Sequence, residues 1–261
     1  MIRDITIGQY YKADSVIHRL DPRVKLMGTL IFIISLFMGM NIWIYAVVTV
    51  ALAVVIKMSR IPLKFMVRGL KSIVILIIIS AVFNLFLTPG DVLIQIWKLT
   101  ITYQGLKMAI FMVVRLIYLI VGTSLMTLTT TPNNLTDGLE KGLGFLKVIK
   151  VPVHEIAMMM SIALRFIPIL IEETDKIMKA QMARGADFEN GSLIKRAKAM
   201  VPILVPLFVS AFRRANELAM AMEARCYHGS EGRTKMKPLK YEKRDRIAYI
   251  SMVLYLSLIH I

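Results

Sequence analysis

Ala180-Gln181-Met182-Ala183-Arg184-Gly185 closes one long amphipathic stretch of this chain, and Ala221-Met222-Glu223-Ala224-Arg225-Cys226 closes another. Both read Ala-x-x-Ala-Arg-small, and the two arginines stand 41 positions apart. Upstream of the first ending, Ile156, Met160, Ala163, Ile167, Leu170, Thr174, Ile177 and Gln181 alternate spacings of four and three, which is one face of a helix. Leu204, Phe208, Ala211, Ala215, Leu218 and Met222 repeat that spacing before the second. Glu172, Glu173, Asp175, Lys176 and Lys179 occupy the other face of the first stretch, and Arg213, Arg214, Glu217 and Glu223 decorate the second. An arginine in a last turn complements the negative end of the helix dipole, so one such ending alone says little. The repetition says more: two matched cations imply two matched acceptor sites, on a partner that comes as a pair.

The rest of the chain is membrane protein. Of 261 residues 57% are hydrophobic, with mean hydropathy +0.65, above the ~45–50% apolar share of a soluble domain. The formal net charge of +16 sits in the segments between apolar runs, where the positive-inside rule puts it. That placement points to anionic lipid headgroups and acidic protein partners, not to nucleic acid. Cys226 is the only cysteine, which excludes an intrachain disulfide and a thiolate metal cluster. Met1 leads into Arg3, Asp4 and Lys12 without an early apolar core, so no cleavable signal peptide is expected.

Leu26–Met40 and Ile42–Ile56 are apolar runs split at Gly39-Met40-Asn41. As one helix they would measure about 46 Å at ~1.5 Å per residue, too long for a ~30 Å hydrocarbon core. Arg19, Arg23 and Lys25 precede the pair, and Lys57, Arg60, Lys64, Arg68 and Lys71 follow it without an acid among residues 57–72. Both flanks therefore read as cytoplasmic, and a hairpin of two short spans is expected. Ile61–Lys71, opened by Pro62, is expected to lie along the inner surface. Ile73–Leu87 then crosses outward, Pro89-Gly90-Asp91 turns, and the nearly uncharged stretch through Thr102 stays outside or at the interface. Gly105–Thr130 returns with Arg115 mid-run, either a functional intramembrane cation or a side chain that snorkels or packs on backbone carbonyls. No Asp or Glu occurs in these spans, which weighs against an ion-coupled carrier working alone.

From Thr131-Pro132 charge mixes with amphipathic periodicity. A transmembrane hairpin here would put Lys176, Lys179, Arg184, Lys195, Arg196 and Lys198 outside, against the positive-inside bias. The expectation is two long helices whose N-terminal halves dip into the membrane and whose C-terminal halves project into the cytoplasm. Pro168, Pro202 and Pro206 punctuate the apolar halves, kinking or starting the helices. Gly185 suits a left-handed stop for the first, whereas the second is expected to run to Gly229. Met158, Met159, Met160, Met178, Met182, Met200, Met220 and Met222 crowd the two helices, as adaptable contact surface or gap filling. The chain has no Gly-x-x-x-x-Gly-Lys phosphate loop, no Gly-x-Ser-x-Gly elbow and no His-x-x-x-His pair. Nothing in it supports catalysis, a cofactor or a metal site.

Ser15-Val16-Ile17-His18-Arg19-Leu20-Asp21-Pro22-Arg23-Val24-Lys25-Leu26, running into the first span, is similar to the N-terminal signature of the T component of energy-coupling factor transporters. The endings at Arg184 and Arg225 resemble that family's paired arginine motifs, with Cys226 where the family has glycine. The resemblance implies an all-α polytopic membrane protein with short transmembrane helices and long amphipathic cytoplasmic coupling helices. It is divided as an N-terminal membrane region of about four spans (1–131), a coupling region (132–246) and a final transmembrane helix (247–261). It further implies a non-catalytic subunit of the cell membrane, N-terminus cytoplasmic, that joins two ATP-binding cassette ATPases to an exchangeable substrate-binding membrane subunit for uptake of vitamins or other micronutrients. Ala183, Arg184, Gly185, Ala224, Arg225 and Cys226 would dock the ATPases, and Met159, Met160, Pro168, Pro202 and Pro206 would touch the substrate-binding subunit. The alternatives are a permease of another ATP-driven importer and a membrane scaffold without a transport role.

Overall fold

The computed structural model describes residues 10–39, 41–96, 99–188, 192–229, 236 and 238–260. It divides into two compact units, Gly8–Gly142 with Leu239–Ile261, and Leu143–Pro238.

In the larger unit each helix boundary has a local cause. Asp21 caps α1 (Pro22–Phe37), its carboxylate accepting from the Arg23 amide, with Pro22 in the first turn where no amide is needed. Asn41 caps α2 (Ile42–Ser59) through the Trp43 amide, 3.3 Å, so the expected break between the first two runs is present. Arg60 ends α2 in the left-handed conformation at φ 56°, and Pro62 precedes α3 (Leu63–Leu87). Thr102 caps α4 (Tyr103–Thr129), its hydroxyl accepting from Gly105 N at 3.0 Å and donating to Thr88 O at 2.9 Å. A Cβ at Gly105 would stand 2.9 Å from Leu85 O, so glycine is what lets α3 and α4 approach there. That pair is the most extensive helix contact in the unit. α5 (Pro132–Gly142) packs on α1, and α8 (Lys243–His260) packs on both α1 and α2. Leu36, Val48 and Ile259 meet there, and the Ser35 and Tyr255 hydroxyls share a 2.7 Å hydrogen bond. Ile42, Trp43, Val50 and Val54 on α2, with Ile75, Leu76, Ile78 and Phe83 on α3, are exposed, the apolar outer surface of lipid-facing helices.

Two expectations change, and one stretch gains a structure the sequence left open. Ile61–Lys71 is not a separate surface segment. No proline falls between Pro62 and Leu87, so Leu63–Lys71 forms the first turns of α3, whose 25 residues span about 37 Å. The stretch before Thr102 is an antiparallel hairpin of β1 (Val92–Ile96) and β2 (Leu99–Thr102), pairing Ile94 with Ile101 and Ile96 with Leu99. The last helix starts at Lys243 rather than at residue 247, taking in Lys243, Arg244 and Arg246, because Asp245 caps it from within.

The smaller unit holds a 3-10 helix (Gly144–Ile149), α6 (Val153–Ala183) and α7 (Leu193–Glu223). Pro168 lies inside α6, and Pro202 and Pro206 lie inside α7, so none of them starts a helix. By length and composition α2, α4 and α6 can each cross a membrane, with mean hydropathy 2.1, 2.1 and 1.6, and Ile73–Leu87 is a shorter apolar segment.

Candidate functional site

The two repeated endings have the same backbone. At the first, Gly185 N donates to Met182 O at 2.9 Å and Ala186 N to Gln181 O at 3.0 Å. At the second, Cys226 N donates to Glu223 O at 2.8 Å and Tyr227 N to Met222 O at 3.1 Å. Both are Schellman caps, in which two amides past the helix satisfy its last free carbonyls. The cap needs one left-handed residue, and the two occupants are Gly185 at φ 90° and Cys226 at φ 53°. The second helix therefore does not run on to Gly229; its last helical residue is Glu223, and the cysteine bears the turn. A non-glycine residue there costs about 1 kcal/mol, so Cys226 holds its turn under strain.

Arg184 and Arg225 hold the same place in the two caps, one residue before the left-handed turn. Ala183, Arg184 and Gly185 are exposed, as are Ala224, Arg225 and Cys226. Among the described residues neither arginine has an ion-pair partner.

Their relative placement follows from the contacts of α6 with α7. Arg214 Nη2 binds Glu173 Oε2 at 3.1 Å, and the Tyr227 hydroxyl donates to Met158 Sδ at 3.2 Å. As the position on α6 rises, its partner on α7 falls, so the two helices run antiparallel. The N-terminal halves of α6 and α7 therefore start from opposite ends of the pair. Arg225 lies beside the turn around Ile162. From there to Arg184 is about 33 Å along α6, at ~1.5 Å per residue. The two cations thus mark opposite ends of one helical hairpin.

The antiparallel course also separates the other candidates. Met159 and Met160 are exposed at the start of α6, whereas Pro202 and Pro206 are exposed on the early turns of α7, beside the far end of α6; Pro168 is exposed between them. They form no single patch. What α7 does expose is an unbroken apolar stripe, Val201, Leu204, Val205, Phe208, Val209 and Phe212. Its spacing of three and four was present in the sequence, one step around from the face chosen there. Arg214, Leu218 and Met222 turn toward α6 instead.

The N-terminal signature is a knot. Asp21 also accepts from Arg23 Nε at 3.0 Å and Nη2 at 2.8 Å, and that guanidinium lies 3.8 Å from the centre of the Tyr241 ring. Lys25 Nζ donates to Thr129 O at 2.8 Å and His18 O at 3.1 Å. The His18 ring bridges Ser15 Oγ and Tyr11 O, and burial pushes its pKa below the ordinary imidazole value. Burial alone would raise the Asp21 carboxyl, but the Arg23 hydrogen bonds outweigh it and hold the pKa low. Asp245, which the sequence reading did not single out, closes the knot by accepting from Asp21 N at 2.9 Å and Glu242 N at 2.8 Å. Arg115 is buried, donates to the Tyr45 hydroxyl at 3.1 Å and lies 5.1 Å from the centre of the Phe37 ring.

Lipid-facing helices, a basic N-terminal signature tied to the last helix, and a helical hairpin with matched arginine ends define a membrane subunit built to engage other subunits. A family model described as "Cobalt transport protein" (CbiQ) matches residues 13–236. The energy-coupling factor transporter transmembrane protein EcfT of Clostridium kluyveri is 57% identical over 250 residues, covering 95% of this chain and 93% of that one. The protein of the same name from Thermosediminibacter oceani is 56% identical, covering 96% and 94%, and that from Bacillus subtilis 46% identical, covering 99% and 98%. The chain belongs to this family, the transmembrane T components of energy-coupling factor transporters.

Proposed function

We propose that this T component couples two ATP-binding cassette ATPases to a separate, exchangeable substrate-binding membrane subunit, for ATP-driven uptake of a vitamin or other micronutrient. It hydrolyses nothing itself, and its N-terminus and the α5–α7 region face the cytoplasm. The observation that carries the reading is the pair of identically capped arginines at opposite ends of the α6–α7 hairpin. A guanidinium keeps its charge when partly buried and forms forked, charge-assisted bonds to carboxylates, so each end suits an acidic groove on one ATPase. The exposed stripe Val201–Phe212 suits an apolar face of a neighbouring membrane subunit.

Alanine at each arginine tests this. One charge-assisted bond of roughly 1.5–3 kcal/mol predicts that Arg184→Ala or Arg225→Ala weakens ATPase docking about ten- to 150-fold. Each single variant retains some complex through its other end and loses most transport; the double variant releases the ATPases. Lysine restores docking only in part, because an ammonium lacks the planar fork. Arg213→Ala and Lys179→Ala, both exposed, change docking by at most ~1 kcal/mol. A double arginine variant that co-purifies with ATPases and supports uptake at the wild-type rate would refute the proposal. A membrane scaffold would capture partners without ATP-dependent uptake.

A further inference from the structure

Arg165 is the sole charged residue between Ile156 and Ile171, the apolar half of α6. A lone cation in such a run calls for a partner. The structure places it on a groove of about 680 Å³ between the first half of α6 and the end of α7. Arg225 and His228 line the same groove, with Met158, Phe166 and Met222 among its apolar lining. No carboxylate lines it. Among the described residues neither guanidinium is paired, so two exposed like charges share one concavity without a counter-ion. At the Arg184 end, residues 200–212 of α7 carry no charge.

We infer that this groove receives an acidic side chain of the docked ATPase, whose carboxylate is held between Arg165 and Arg225. The inference rests on the docking proposal above and adds Arg165 to it. Charge complementarity argues for a carboxylate, since two guanidinium forks match one planar anion. Continuity argues for the ATPase as its source: the groove begins at the very ending proposed to dock that subunit. The apolar lining fits the aliphatic stem of such a side chain, and its methionines adapt to shape. The contact at Arg225 therefore carries two cations.

The test titrates purified ATPases onto the full chain with its substrate-binding subunit, reconstituted in nanodiscs of neutral phosphatidylcholine and in nanodiscs containing phosphatidylglycerol. Arg165→Gln is expected to weaken docking about ten-fold in both lipids, the scale of one hydrogen bond to a charged group, and Arg165→Lys by less. Arg165→Gln and Arg225→Gln share a ligand, so their combined effect departs from the product of the two by about three-fold or more. Arg165→Gln and Arg184→Gln, about 30 Å apart along the helix, multiply within about two-fold. Unchanged docking in Arg165→Gln, with Arg225→Gln still weakened, overturns the clamp and leaves the docking proposal standing. No effect of Arg184→Gln, Arg225→Gln or their combination means that the docking proposal itself has failed. An Arg165 effect confined to phosphatidylglycerol nanodiscs identifies a lipid headgroup as occupant and likewise overturns the inference.

Discussion

Replacing Asp245 by alanine removes one carboxylate and strands two amides. Asp245 is 1% exposed, and its two oxygens accept from Asp21 N and Glu242 N at 2.9 and 2.8 Å. The second bond is half of a capping box, because Glu242 O accepts from the amides of Asp245 and Arg246 at the start of α8. The first reaches residue 21, itself the cap of α1, so one side chain ties the beginnings of the first and last helices. A buried amide left without an acceptor costs about 1–3 kcal/mol. Two of them, with some relaxation at the water-facing end, give about 3 kcal/mol for Asp245→Ala. Asparagine keeps one acceptor oxygen but turns an NH2 group toward the other amide, so Asp245→Asn is expected near half that loss. Arg246→Ala, at an exposed neighbour, is the control and should stay within about 0.5 kcal/mol of wild type. Reversible unfolding in mixed detergent micelles, followed by circular dichroism, measures all three. An alanine variant as stable as the control would refute the stitch, and asparagine as costly as alanine would refute the assignment of one bond to each oxygen.

Cys226→Gly should stabilise the end of α7 by a few tenths to about 1 kcal/mol, because relief of the left-handed strain exceeds the added freedom of the unfolded chain; Cys226→Val should lose more than 1. Chemical denaturation of the full chain decides the order, and valine as good as glycine would contradict the φ of 53°. Tyr45→Phe should destabilise by about 1–2 kcal/mol by removing the hydroxyl from buried Arg115, whereas Tyr45→Phe with Arg115→Met should return toward wild type. Equal losses in the single and double variants would mean that the pair is not an isolated one. Glu173→Gln and Arg214→Gln should each leave ATPase docking within about three-fold yet reduce uptake, since this half-buried bridge joins α6 to α7 between the two docking ends. Full uptake in both would show that the bridge carries no load.

Most helix boundaries were legible because single residues set them. Asn41, Pro62 and the Pro89-Gly90-Asp91 turn act through local backbone chemistry, and Gly185 stops α6 where a glycine stop was expected. The errors arose where charge or composition was read as geometry. Lys64 and Lys71 suggested a surface segment, but charge does not break a helix, and α3 runs through them. Cys226 looked like a lost stop signal, but the Schellman bonds come from the backbone and can force a small side chain into the left-handed region. The β1–β2 hairpin was hidden because stretches as short as four or five residues, here Val92–Ile96 and Leu99–Thr102, fit a strand, a loop or an interfacial turn equally well. Arg165 was visible throughout as a cation amid apolar neighbours. It gained meaning only once the fold brought Arg225 to the same groove.

The sense of the α6–α7 pair matters most for coupling. Periodicity reveals a helix face but not the direction in which two faces meet. A parallel pair would have set both arginines at one end, within reach of a single partner surface. The antiparallel pair sets them about 33 Å apart, which suits two separate domains, one at each end. A change in the distance between those domains cannot shorten either helix, because the hydrogen-bonded ladder fixes its length. It has to alter how α6 and α7 cross, and therefore where the Val201–Phe212 stripe points. On the proposed reading the ATPases act on the ends of a lever, and the substrate-binding subunit feels the tilt of its apolar face. The prolines inside both helices, Pro168, Pro202 and Pro206, each remove a ladder donor along the lever and concentrate its bending there.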